Sequence, residues 1–391
     1  MKILMVTPLV PHADSVAGGA LVMFGQLQGL AARHEVTLAT LAGADAGDQA
    51  GLEALSSIGV EAHPVWRARA LGPGRWTNRL QLALGWLKSH DPLRALKFRE
   101  PGLQTLVDEL ARKQRFDVLQ IEDNAVGEYR YPEGVPTVFT EHEVRVPATT
   151  GSLERSRWPG YQRRVWGRFD RLQVFTQRDA EAMQAMAPYV ADRVRVNPFG
   201  VTVPPTAGAF PETQGEVVFT GGFYHAPNVD AAVWLGSEIF PALRRLCPDA
   251  HLTIVGVDPP PSVRALAGPA VTVTGRVPRV ETFIERAAVV LAPLREGGGM
   301  RVKVLQALAL GKAVVTTPLG AEGLAWGAAP APLIVARDAF GIAQAAADLL
   351  ADKAARDELG RRARSYVLEQ HGWAAYVRRL EAIYAELGLR P

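Results

Sequence analysis

Cysteine is almost absent. Cys247 stands alone among 391 residues, so the chain forms no internal disulfide and no Cys-rich metal centre. Long apolar runs are missing as well. No stretch reaches the ~18 residues a bilayer-spanning helix needs, so work at a membrane would be done from its surface. An excess of one charge is lacking too. Forty-three Lys and Arg stand against 40 Asp and Glu, a net charge of +3, and no recognised nucleic-acid module accompanies them, so no nucleic-acid partner is expected. There are no short-period repeats and no low-complexity tract. The metal spacings H-E-x-x-H, H-x-x-E-H and C-x-x-C do not occur, and no metal is expected. The opening "MKILMVTPLVPHADS" is interrupted by Pro8 and Pro11 and lacks a small-residue cleavage site. It reads as a buried first strand rather than a signal peptide.

What is present is ordinary globular composition, 48% hydrophobic and 21% charged, at a length that suits two domains. Short apolar runs alternate with amphipathic stretches. Strands are expected at Ile3–Val6, Val36–Leu41, Val118–Ile121, Thr137–Thr140 and Gln173–Thr176. A second series is expected at Val217–Thr220, Leu252–Val255, Val271–Thr274, Val289–Ala292, Ala313–Thr317 and Leu333–Val335. Helices fit Ala20–Ala32, Leu103–Lys113, Lys353–Gln370 and Trp373–Leu387. Such alternation predicts α/β architecture, with parallel sheets covered on both faces. The segment 197–215 carries Pro198, Pro204, Pro205 and Pro211 and no long periodic run, as a linker would. The reading is two doubly wound, Rossmann-like domains facing a cleft, with ligands at the carboxyl ends of strands.

The stretch "EGGGMRVKVLQALALGKAVV" (296–315) follows one such strand. Gly297, Gly298 and Gly299 carry no side chains, so backbone N–H groups can converge on an anion. The following helix N-terminus carries partial positive charge, and Arg301 and Lys303 add two full charges there. Cations at that end oppose the dipole, a cost of about 0.3–1 kcal/mol each, which a bound phosphate or pyrophosphate between them would relieve. The bland alternative is a glycine-rich turn with two solvated bases. The loop is neither a P-loop, since the Gly-Lys-[Ser/Thr] ending is missing, nor a G-x-G-x-x-G dinucleotide turn. Gln306 shares a helix face with Lys303 and offers an amide to sugar hydroxyls. Gly311 stops the helix.

The stretch "LREGGGMRVKVLQALALGKAVVTTPLGAEGL" resembles the donor-site signature of the GT-B glycosyltransferases of family 4, the retaining group 1-like enzymes. "FTGGFYHAPNVDAAVWLGSEIFPALRRLCPDAHLTIVG" (219–256) is similar to the start of that family's C-terminal domain, and "AGGALVMFGQLQGLAARHEVTLAT" (17–40) to its first loop and helix. The resemblance implies an acceptor-binding domain at 1–196, a linker at 197–215 and a nucleotide-sugar domain at 216–371, with the helix about 372–391 packing back on the first domain. It implies transfer with retention of configuration and no divalent metal or other cofactor. It places Glu296, Gly297, Gly298, Gly299, Met300 and Gln306 at the donor. The family commonly has two glutamates seven residues apart here; this chain has Gly298 and Gln306 instead. Family members also often carry Arg and Lys just after Gly221 and Gly222. "GGFYHAPN" has neither, which leaves that work to Arg301 and Lys303.

Other positions have two readings each. Gly18 and Gly19 bring backbone amides to the donor or acceptor, or form a tight strand-to-helix turn. Asn228 reads as a helix N-cap with Asp230 in the first turn; His225 is a weaker site candidate. Glu122 and His142 end successive strands of the first domain. A carboxylate beside His142 would raise its pKa and orient its ring toward donor sugar or acceptor, unless it is a satisfied structural histidine. Glu322 in "GAEGL" contacts ribose or steadies its loop. The stretches 66–100 and 155–171 mix bases with tryptophan, which suits an anionic membrane surface, a lipid-diphosphate acceptor, or a solvated helix face.

The expectation is therefore a hexosyltransferase. Arg301, Lys303, His142 and Glu122 are its catalytic candidates, and Gly18, Gly19, Gly221, Gly222 and Glu322 join the donor set. The donor is a nucleotide-diphosphate sugar and the acceptor a glycan or lipid-linked hydroxyl. The expected place is the cytoplasm, at the inner face of the membrane, in envelope or exopolysaccharide synthesis. The rivals are a catalytically degenerate binding or scaffold protein and a sugar-nucleotide epimerase.

Overall fold

The computed structural model describes residues 1–13, 18–43, 46–67, 85–144, 151–205, 210–297 and 301–390. The chain divides into two compact units, Met1–Gly200 with Tyr376–Pro391, and Val201–Ala375.

The first unit is built on β1 (Lys2–Thr7), β2 (Glu35–Ala42), β3 (Glu61–Trp66), β4 (Val118–Glu122), β5 (Thr137–Thr140), β6 (Arg171–Val174) and β7 (Val194–Val196). All pair in parallel, in the order β3-β2-β1-β4-β5-β6-β7. The second holds β8 (Glu216–Thr220), β9 (His251–Val255), β10 (Val271–Val273), β11 (Val289–Ala292), β12 (Ala313–Thr316) and β13 (Ile334–Val335), ordered β10-β9-β8-β11-β12-β13. Central strands such as β1 and β11 are buried along nearly their whole length. That is why they read as continuous apolar runs instead of alternating ones.

The strand expected at Gln173–Thr176 is Arg171–Val174, because Thr176 caps the next helix through a bond from the Asp179 amide. In each sheet the order reverses beside the first strand, between β1 and β4 and between β8 and β11. Those reversals are where open parallel sheets take ligands.

The helices that matter for the site are α1 (Gly18–Ala31) after β1, α2 (Ala226–Trp234) after β8, α3 (Val302–Ala309) after β11, α4 (Lys353–Gln370) and α5 (Trp373–Ala385). Helix α3 is firmly held at its far end. Gly311 has φ of +69°, open to glycine at little cost. The Arg364 guanidinium donates to the Ala309 carbonyl at 2.8 Å. Gly360 of α4 lies so near the Gly311 carbonyl that a Cβ there would sit 2.0 Å from the oxygen.

Helix α5 joins the first unit through polar groups on the sheet. The Gln173 amide donates to the Tyr376 hydroxyl at 2.8 Å, and the Tyr384 hydroxyl donates to Gln120 at 2.9 Å. Both tyrosines are wholly buried. Around them the first core packs Trp166, Tyr161 and the stacked pair Phe139 and Phe169, 4.8 Å apart. Each such side chain adds about 1.5–3 kcal/mol by leaving water. The second core gathers Phe219, Leu235, Leu252, Leu291 and Val315.

Candidate functional site

In the second unit, β8 runs into Gly221 and Gly222, and β11 into Glu296 and Gly297. The two strands are neighbours, so both loops stand at the sheet reversal. Gly221 must be small. A Cβ there would meet the Lys303 ammonium at 2.8 Å and Asn228 at 2.9 Å. Behind it, a Cβ on Gly256 would stand 1.9 Å from the Gly221 carbonyl oxygen, so two loop backbones touch directly. Gly297 has φ of +116°, a value side chains resist. Gly298, Gly299 and Met300 lie outside the described residues.

Arg301 is the residue just before α3 rather than part of its first turn, and it is buried. Its guanidinium donates to the carbonyls of Leu319 and Gly297, each at 3.2 Å, and pairs with Glu322 at 3.2 Å. This ion pair ties the loop after β12 to the glycine loop, in keeping with the reading of Glu322 as a residue that steadies its loop. Lys303, in the first turn of α3, is half-buried. It donates to the Asn228 side-chain oxygen at 2.5 Å and stands 4.6 Å from the Phe219 ring centroid. Burial, with repulsion from Arg301 second, brings its pKa down to about 7. Gln306 lies one turn further along α3, half-buried.

Asn228 is not the N-cap. His225 holds that position, and Asn228 lies within the first turn of α2. Its side chain is turned back on the loop, the amide donating to the Gly222 carbonyl at 2.7 Å. Sequence reasoning passed it over because an asparagine before an apolar run is a capping signal in its own right. The missing Arg and Lys after Gly222 were the clue that something else fills that loop. His225 has its pKa lowered by burial, then by Lys303 and Arg301.

The first unit gathers a second set. Glu122 ends β4 and is fully buried. One of its oxygens accepts from Gln26, Gln120 and Thr140 at 2.8–2.9 Å, and the other meets His142 Nε2 at 2.8 Å. Enclosed in this way, the Glu122 carboxylate is placed to orient the His142 ring. Burial pulls the His142 pKa down, but the bond to Glu122 and the charges of Glu122, Asp123 and Glu141 outweigh it, and the net shift is upward. Its Nδ1 lies 3.8 Å from where a Gly19 side chain would begin. Gly18 and Gly19 open α1. The flanking Glu141 turns away. It accepts from both Asn124, at 2.6 Å, and Trp166 Nε1, at 2.7 Å, and burial pushes its pKa up to about 7. Asp123, with φ of +79°, is a strained non-glycine residue at the end of β4, held by Arg94 at 2.7 Å.

Among the described residues, most bases of the two basic stretches bond to the protein itself. Arg99 and Arg164 each bond both Asp91 and Glu128, and Arg168 donates to the Gly127 and Tyr129 carbonyls. Arg157 covers the Trp86 ring at 4.1 Å. Trp158 and Trp166 are buried, while Leu87 and Leu153 are exposed. Arg69, Arg75, Trp76 and Arg79 lie outside the described residues. No helix among the described residues is long and apolar enough to cross a membrane.

Two parallel, doubly wound sheets, the second with glycines and the cations Arg301 and Lys303 gathered at its reversal, define an α/β protein. Two family models then meet in this chain. The glycosyl transferase 4-like domain matches residues 17–200, and glycosyl transferases group 1 matches residues 214–352. The chain belongs to the group 1, family 4-like glycosyltransferases and is a transferase of the GT-B fold. Among solved structures it is similar to a glycosyltransferase from Rickettsia africae, with TM-score 0.64, 12% identity, and 100% of this chain and 99% of that one covered. It is similar to sucrose-phosphate synthase from Thermosynechococcus elongatus, with TM-score 0.67, 16% identity and 99% of each chain covered. A third is Alr3699/HepE from Anabaena, solved with UDP and glucose, with TM-score 0.64, 14% identity, and 98% and 99% covered. No curated protein matches the sequence.

Proposed function

We propose that the protein moves a hexose, with retention of configuration, from a nucleotide-diphosphate sugar to a hydroxyl of a glycan or lipid-linked acceptor, in envelope or exopolysaccharide synthesis. The observation that carries the donor assignment is the cationic cradle of the second unit. Arg301 and Lys303 stand over the side-chain-free backbone of Gly221 and Gly297, at the sheet reversal. As the donor breaks, charge builds on its diphosphate. A preset cation or amide stabilises that charge without reorganising, and losing one such group commonly costs about 3 kcal/mol in the barrier. Glu296 and Gln306 border the same loop and helix and would meet the sugar and ribose as neighbours of the diphosphate. In a same-face transfer the departing phosphate takes the acceptor's proton, so no metal or other cofactor is required of the protein.

In the first unit, Gly18 and Gly19 offer the backbone of the α1 start, and His142 offers Nδ1 while Glu122 holds Nε2. This supports His142 as a hydrogen-bond partner of donor sugar or acceptor, with Glu122 as its orienting group. The exposed Leu87 and Leu153 support contact with a lipid surface, and an acceptor held there would be glycosylated from the cytoplasmic side.

The test is calorimetric titration of UDP and GDP into wild type, Arg301→Ala and Lys303→Ala. Each substitution should weaken binding at least about tenfold, one lost charge-assisted hydrogen bond. Undiminished affinity in folded variants refutes the assignment.

A further inference from the structure

A lysine ammonium enclosed in protein ordinarily meets a carboxylate. Lys303 does not. Its close polar partner is the neutral oxygen of Asn228, at 2.5 Å, and no carboxylate among the described residues pairs with it. The charged neighbours are accounted for otherwise. Glu322 is on Arg301 and Asp230 is on Arg295. Asn228 in turn is fixed by its amide on the Gly222 carbonyl, at 2.7 Å. Its oxygen therefore faces Lys303 and cannot swap ends without losing both bonds. The pair fills the space a side chain on Gly221 would need.

We propose that Asn228 is a positioning residue for donor binding: it holds the Lys303 ammonium in place over Gly221 without cancelling its charge, so that the charge remains for an incoming diphosphate. The inference rests on the donor reading above. An aspartate at the same place would hold the ammonium equally well but neutralise it, and an alanine would leave it unheld. With Arg301 nearby and burial depressing its pKa to about 7, Lys303 loses its proton as pH rises above neutrality. A bound diphosphate raises that pKa, so binding takes up a proton, and affinity falls between pH 7 and 9. Above about pH 7 the terminal phosphate itself is essentially ionised, and His225, whose pKa is lowered, is neutral.

The experiment titrates UDP, GDP, ADP and dTDP into the full chain by calorimetry from pH 7 to 9. The proteins are wild type, Asn228→Ala, Asn228→Asp, Lys303→Met and the double variant Asn228→Ala/Lys303→Met, each checked for folding by thermal unfolding. Asn228→Ala should weaken binding about tenfold in the wild-type background and less than about twofold in the Lys303→Met background, because neighbours acting as a unit are not additive. Asn228→Asp should bind more weakly and lose the pH dependence, since the new ion pair keeps Lys303 protonated throughout. Equal losses from Asn228→Ala in both backgrounds, or an unchanged pH profile in Asn228→Asp, would overturn the proposal while leaving the donor site standing. Should Asn228→Ala fail to fold, the Asn228→Asp profile decides alone. Wild type that binds none of the four nucleotides would overturn the donor reading and this inference with it.

Discussion

Glu141 offers a quantitative check on the first unit. Its carboxyl is buried beside Trp166 and Asn124, and its pKa stands at about 7 against an ordinary 4.5. A folded-state pKa above the unfolded one makes the protonated form the native one. At pH 4 the group is neutral in both states and costs nothing. As pH rises from about 4.5 to about 7, the unfolded chain ionises while the native carboxyl stays protonated, so stability is progressively lost. Each pKa unit is worth about 1.4 kcal/mol, so by pH 8 the loss is about 3 kcal/mol. Glu141→Gln removes the ionisation and keeps the shape. The introduced amide also has an acceptor at hand, because Asn124 Oδ1 is buried with no hydrogen-bond partner. Wild type and variant should therefore unfold alike near pH 4 and differ only slightly at pH 5. At pH 8 the variant's first-unit transition should lie about 5–10 °C higher. Differential scanning calorimetry at pH 5, 6, 7 and 8 measures it. A difference in Tm that is the same at pH 5 and pH 8 would refute the raised pKa.

Further tests follow from neighbouring groups. Glu122→Gln removes the charge that holds up the His142 pKa, so the His142 ring protons should titrate at lower pH in NMR spectra. An unchanged midpoint would mean that Glu122 is not its controlling partner. Gly256→Ala forces a Cβ against the Gly221 carbonyl oxygen, so it should cost the second unit about 1–3 kcal/mol or more by overpacking and weaken nucleotide binding as the loop shifts. A urea midpoint equal to wild type would show that the loops part freely.

The sequence declared its central strands clearly, since β1, β5, β8 and β11 are short apolar runs buried on both faces. It concealed β3 and β7, the two edges of the first sheet. Strand β3 is only partly buried and carries Pro64, tolerable at an edge where one face of hydrogen bonds is missing. Strand β7 is only three residues long. In the site, Arg301 and Lys303 were legible because glycines and cations at a helix start are a combination with a physical cost. Their partners were not. Glu322 approaches from another loop and Asn228 from the first turn of α2, and local patterns explain each of them equally well as turn or cap residues. The match of Glu122 to His142 crosses from β4 to the end of β5, twenty residues away, where the flanking Glu141 and Glu143 were the nearer guesses in sequence.

Helix α5 gives the chain an unusual order of assembly. The buried hydroxyls of Tyr376 and Tyr384 complete the polar seam of the first sheet, yet they leave the ribosome only after the entire second unit has emerged. The first half of a nascent chain must wait with the bonds of Gln120 and Gln173 to those two hydroxyls unmade, and it closes last the unit it began first.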